Sequence, residues 1–259
     1  MSRALAALIN SARDAVRPVF MPFMTAGIPD RDASLAVFQR LADEGADAFE
    51  LGIPYSDPLM DGPVIQAASA RALDEGMTFL GGLELAGRVA QSTGKPVIVM
   101  TYVNPILQAG AEVFAAEAAA LGIAGVIIAD IPFEESATVK AALDTHGIGM
   151  ALFAAPTTDE RRLRAIADAR PSFIYAVADM GVTGRRDEVS DHLEGLVRRI
   201  RAVTSIPIVL GVGISTPEQA GTAAGLADGV IVGSALVAEV LETGITASGA
   251  AFAEAVHGE

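Results

Sequence analysis

Eight short, largely apolar runs, most of them rich in Val and Ile, recur along the chain, each separated from the next by at least one segment of helical length. No other feature constrains the fold as tightly. The runs are Val19–Thr25, Ala48–Leu51, Val97–Tyr102, Val126–Ala129, Gly149–Phe153, Phe173–Val177, Ile208–Leu210 and Val230–Val232. Between them, Arg31–Glu44 carries a buried helical stripe at Leu35, Val37, Phe38 and Leu41. Helices are also expected at Val64–Glu75 and Leu80–Gln91, two where one would suffice, and at Ala111–Leu121, Glu134–His146, Asp159–Ala169, Asp191–Arg201 and Thr216–Ala224, with Arg3–Ala15 as an opening helix. Continuous apolar runs, unlike alternating ones, suit strands buried on both faces, and helices between them supply the cover for a parallel sheet. The class is α/β. The count of eight favours a closed (β/α)8 barrel with an extra N-terminal helix and additional short helices, against an open doubly wound sheet as the competing arrangement. No linker or low-complexity tract divides the 259 residues, so one barrel domain over residues 1–259 is expected.

The second run ends at an acid-rich loop, Phe49-Glu50-Leu51-Gly52-Ile53-Pro54-Tyr55-Ser56-Asp57-Pro58-Leu59-Met60-Asp61-Gly62-Pro63. Gly52 and the prolines stop strand and helix alike until Gly62. Glu50 is thereby set where a buried strand meets a rigid loop that carries Asp57 and Asp61, so up to three acids face one space. Carboxyl groups in unlike environments separate a general acid from a general base at neutral pH. Glu50 between Phe49 and Leu51 is costly to bury unless used or paired. Asp61 before Gly62-Pro63 also reads as a turn former, and Tyr175 as barrel filling.

What the chain lacks narrows the chemistry. A net charge of −14 argues against nucleic acid or an anionic membrane as partner. Without cysteine there is no disulfide, thiolate metal site or cysteine nucleophile. Lys95 and Lys140 lie away from strand C-termini, which disfavours a Schiff base, and His146, His192 and His257 are scattered, so a zinc site or histidine base lacks its residues. No signal peptide and no uninterrupted apolar span is visible, and a cytoplasmic location is expected.

In a barrel of this kind chemistry belongs to the loops after the strands, with phosphate held after strands seven and eight. Gly181-Val182-Thr183-Gly184 follows strand six, Gly211-Val212-Gly213 strand seven, and Gly233-Ser234 strand eight, where a helix beginning at Ser234 aims its positive end at an anion. The residues thus point to a metal-free acid/base enzyme acting on a phosphorylated small molecule.

The run Glu50 to Pro58 followed by Asp61-Gly62-Pro63 resembles the signature of the tryptophan synthase α subunit. The likeness extends through Pro22-Phe23 with Thr25-Ala26-Gly27, Tyr102-Val103-Asn104-Pro105-Ile106, Ala129-Asp130-Ile131-Pro132, Ala155-Pro156-Thr157-Thr158, Gly181–Gly184, Gly211–Ser215 and Gly233-Ser234-Ala235. It implies cleavage of indole-3-glycerol phosphate to indole and glyceraldehyde 3-phosphate. It also implies a β subunit carrying pyridoxal phosphate, an α2β2 heterotetramer, and no cofactor in this chain. By the same resemblance Glu50 and Asp61 are catalytic; Phe23, Met100, Tyr102, Tyr175 and Thr183 contact substrate; and Gly184, Gly213, Gly233 and Ser234 hold phosphate. The chain departs from the family pattern at Met60, Ala178 and Asp179. A different phosphate-binding barrel enzyme, or a non-catalytic activator of a β partner, are the other readings; the acid pair and Met24-Thr25 speak against the first, and retention of both acids against the second. The polar stretch Asp179–Leu193 is expected to be a mobile lid.

Overall fold

A computed structural model describes residues 3–177, 186–211 and 213–258. Helix α1 (Arg3–Asp14) precedes β1 (Val19–Thr25), α2 (Ser34–Asp43) and β2 (Phe49–Gly52). Two helices, α3 (Pro63–Asp74) and α4 (Phe79–Thr93), lead to β3 (Val97–Thr101). They are followed by α5 (Val103–Ala109), α6 (Ala111–Ala120), β4 (Gly125–Ile128) and, after a single 3-10 turn, α7 (Ala137–Thr145). Next come β5 (Gly149–Met150), β6 (Leu152–Ala154), α8 (Glu160–Asp168), β7 (Ile174–Val177), α9 (Arg186–Val203), β8 (Ile208–Gly211), α10 (Pro217–Ala224), β9 (Gly229–Val232), α11 (Ser234–Thr243) and α12 (Gly249–His257).

Every strand pairing among the described residues is parallel, in the order β5-β4-β3-β2-β1-β9-β8-β7-β6. The two ends of that order are consecutive in the chain. β5 pairs with β4 and β6 with β7, while the Ala151 N–H donates to the Val126 carbonyl at 3.0 Å and the Leu152 N–H to the Phe173 carbonyl at 3.4 Å. One stave therefore changes partner at Ala151 and brings the barrel to near closure with eight staves. The expected fifth run, Gly149–Phe153, corresponds to this split stave.

Side chains alternate across each stave. Phe49 faces outward and meets Phe38 of α2 edge-on, ring centres 5.5 Å apart. Glu50 therefore faces the barrel interior, in register with Phe23 on β1 and Ile98 on β3. Two residues on, and so on the same face, Gly52 is level with Thr25 and Met100.

Several helix starts follow from local chemistry. Thr78, Asp159 and Thr216 accept hydrogen bonds from the first-turn N–H groups of Gly81, Arg162 and Gln219, and Thr216 with Gln219 forms a reciprocal capping box. The expected helix over Arg31–Glu44 begins only at Ser34, because the Asp30 carboxylate accepts from the N–H groups of Asp32 and Ala33 and holds that stretch as a turn. Helix α5 lies where no periodic segment is expected. Its Pro105 sits in the first turn, where a missing N–H costs no intrahelical bond, and Asp130 Oδ1 accepts from the Val103 N–H at 2.7 Å. Helix α9 begins at Arg186 rather than Asp191, so the C-terminal half of the segment expected to be a lid is helical. No described helix is long and apolar enough to cross a membrane.

Candidate active site

Glu50 enters the barrel from β2 with 1% of its surface exposed, and neither carboxylate oxygen has a hydrogen-bond partner. Burial, reinforced by the charge of Asp61, pushes its pKa up to about 8. At neutral pH Glu50 is thus a carboxylic acid, a proton donor held in an apolar wall.

Asp61 reaches the same space from the loop. Two hydrogen bonds close the turn around it, one within the main chain from the Asp61 N–H to the Pro58 carbonyl at 3.0 Å and one from the Gln66 side-chain Nε2 to the Asp61 carbonyl at 2.8 Å. The carboxylate, left out of these bonds, meets the Tyr102 hydroxyl. Its pKa is raised by desolvation, with the Tyr102 bond acting in the opposite direction. Tyr102 in turn accepts the Met60 N–H at 3.1 Å, so one phenol fixes both the loop backbone and the acid it carries. Burial and the neighbouring Asp61 carboxylate hold the Tyr102 phenol in its neutral form, well above its ordinary range. Tyr55 stacks on Tyr102 with ring centres 4.8 Å apart, and Asn104 Nδ2 donates to the Tyr55 hydroxyl at 3.3 Å, tying the β2 loop to α5.

The structure brings two acids together, not three. Asp57 is exposed and accepts the Ser56 hydroxyl at 2.7 Å, because the proline-rich turn points it away from the barrel. Met60 is likewise exposed, so its difference from the family pattern does not alter the interior.

Two glycines make room for the aromatic walls. A Cβ on Gly52 would lie 2.5 Å from the Phe23 ring, and one on Gly211 would lie 2.3 Å from the Tyr175 hydroxyl, so any side chain at either position displaces the ring. Phe23 also packs against Gly233, bridging the β2 and β9 sides of the mouth. Tyr175 stacks on Phe153 at 5.2 Å between centres, and its phenol is driven well above its usual pKa by burial and then by Glu50 and Asp61. Phe23, Met100, Tyr102 and Asp61 line a niche of about 10 Å³, shared with Thr25, Gly52, Ile65, Ser69 and Thr101. Thr25 is the group the motif reading passed over as a site residue. Its signal was a hydroxyl-bearing residue ending the first strand.

On the far side of the mouth, β8 and β9 are neighbours. Gly213 after β8 has φ +76°, and Gly233 precedes α11 with no side-chain cap, leaving the first-turn N–H groups from Ser234 onward turned toward the mouth. Thr183, Gly184, Ala178 and Asp179 lie outside the described residues, as does the first part of the expected lid.

A neutral buried carboxyl in the field of a second acid, beside the uncapped start of a helix at the mouth of a parallel barrel, is an arrangement suited to moving protons on an anionic small molecule. The chain belongs to the tryptophan synthase alpha chain family, whose model matches residues 9–256. It is 46% identical over 221 residues to the tryptophan synthase alpha chain of Geobacter sulfurreducens, covering 85% of this chain and 84% of that one. It is 41% identical over 251 residues to that of Streptomyces avermitilis, covering 97% and 91%. A solved structure of Mycobacterium tuberculosis tryptophan synthase contains a chain that superposes with a TM-score of 0.90 at 37% identity, covering 99% of this chain and 98% of that one.

Proposed function

We propose that Glu50 and Asp61 carry out the tryptophan synthase α reaction, the cleavage of indole-3-glycerol phosphate to indole and glyceraldehyde 3-phosphate. The observation that carries the assignment is the buried, unpartnered Glu50 carboxyl with its pKa near 8. In the first step the Glu50 acid delivers its proton to indole C3 while Asp61 accepts the ring N–H proton. The Glu50 carboxylate then takes the proton of the hydroxyl on the carbon bonded to C3. The C3–carbon bond breaks, its electrons pass to the ring nitrogen, and Asp61 returns the proton there. An aldehyde and indole result, and both carboxyls end as they began. Phe23, Met100 and Tyr175 are the walls for the indole, with Thr183 as a further contact. Gly184, Gly213, Gly233 and Ser234 bind the phosphate, a role supported for the last two by the uncapped start of α11.

The test is incubation of the purified chain with indole-3-glycerol phosphate, with and without a β subunit. Indole should appear in both, faster with the partner, and no indole in either overturns the assignment.

The same reading takes the protein as one half of a cytoplasmic α2β2 assembly whose β subunits hold pyridoxal phosphate, this chain needing no cofactor of its own. Leu59, Met60 and Leu107 are 89%, 64% and 61% exposed, on two mouth segments tied together by Asn104 and Tyr55. Apolar side chains gathered at a mouth that must release indole without loss to water favour a partner seated there. Mixing with a β subunit should protect the amides of 54–61 and 103–109 from hydrogen exchange, and unchanged exchange in both segments, with complex formation verified, overturns this contact.

A further inference from the structure

We propose that Thr25 determines specificity for a hydroxylated substrate chain, its hydroxyl exchanging a hydrogen bond with the hydroxyl on the middle carbon between the indole end and the phosphate. The inference rests on the function proposed above.

Thr25 is the last residue of β1, is 1% exposed, and its Oγ1 has no hydrogen-bond partner. Buried hydroxyls in folded proteins are nearly always paired, since burial without a partner forfeits their bonds to water. A position that had only to fill this wall would hold Val, which has the same shape and no such cost. Glu50 also has orphaned oxygens, but the proton transfers account for them. Nothing in those transfers uses Thr25.

Its location says what the hydroxyl meets. β1 lies between β2, which carries Glu50, and β9, which leads into Gly233 and Ser234. A substrate with its reacting carbon at Glu50 and its phosphate at the start of α11 runs its three-carbon chain past the end of β1. Gly52, in register with Thr25, offers no side chain to that stretch. Thr25 lines the same niche as Asp61 and Met100. Its β-branch restricts χ1, so the direction of the hydroxyl is set before substrate arrives.

Thr25→Val and Thr25→Ser test this with two probes: indole-3-glycerol phosphate, and indole-3-propanol phosphate, which has the same carbon chain and no hydroxyl. Thr25→Val should lose about 10- to 100-fold in kcat/KM for the hydroxylated substrate, the range expected when one partner of a buried polar pair is removed. It should bind the propanol phosphate within about twofold of the unaltered protein and melt at the same temperature or higher. Thr25→Ser should stay within about threefold on both probes. Equal loss on both probes, no loss on the hydroxylated one, or a Thr25→Ser as impaired as Thr25→Val overturns the role. If the unaltered chain neither binds these ligands nor releases indole, the proposed function falls too; activity in the unaltered chain with an indifferent Thr25→Val removes the Thr25 role alone.

Discussion

Replacing Glu50 by Gln is expected to lower indole release at least about a hundredfold, because positioned proton transfer is typically worth roughly 10²- to 10⁴-fold. The barrel should survive the change. Glu50 is already neutral at pH 7, so Gln keeps the shape and the charge of the native side chain and removes only the transferable proton. Retention of more than about a tenth of the rate would remove Glu50 from the chemistry. The unaltered enzyme should lose activity as pH rises through about 8, where Glu50 gives up the proton destined for C3.

Stability supplies an independent readout of the same residue. The folded-state pKa of Glu50 lies above its ordinary value of 4.5, so between about pH 4.5 and 8 the native state binds the proton and the unfolded chain does not. Unfolding is therefore favoured increasingly as pH rises through that window. Glu50→Gln abolishes this dependence. The variant should match the native protein near pH 4.5 and exceed it by roughly 3 kcal/mol near pH 7, at 1.36 kcal/mol for each pH unit. Chemical denaturation at several pH values measures the difference, and a gap that does not widen with pH contradicts a neutral buried Glu50. A catalytic acid that costs the fold stability is a common trade in enzyme interiors.

The parts legible in the sequence are those where one local rule decides. β1 has the expected bounds, because Gly27 and Pro29 follow an unbroken apolar run. Glu50 stood out because an acid on an apolar strand has few structural uses. What local patterning could not reveal depends on partners distant in the chain. Helix α5 is started by Asp130, 27 residues from the Val103 it caps. Asp57 and Asp61 look alike on paper, and only the path of the turn sends one to Ser56 and the other to Tyr102. Gly52 reads as a strand terminator until the Phe23 ring is found lying in the space of its missing side chain. Thr25 looks like an ordinary β-branched strand residue, since an orphaned hydroxyl is a property of its surroundings.

Asp61→Asn should likewise cut indole release by at least about a hundredfold, and the reason is separable from the loop's shape. An Asn side-chain oxygen can still accept the Tyr102 hydroxyl, and Tyr102 can still accept the Met60 N–H, so the tie between loop and barrel is kept. What disappears is the capacity to take the indole N–H proton and the negative charge facing Glu50. That charge is one of the two causes of the raised Glu50 pKa, the lesser after burial. The Glu50 titration, followed by the carboxylic-acid infrared band, should therefore move to lower pH in Asp61→Asn while remaining above the ordinary value, since burial persists. Near-native activity would return Asp61 to the role of a turn former. Lost activity with an unmoved Glu50 titration would mean that the two carboxyls do not share one electrostatic space, and that Asp61 acts on the substrate alone.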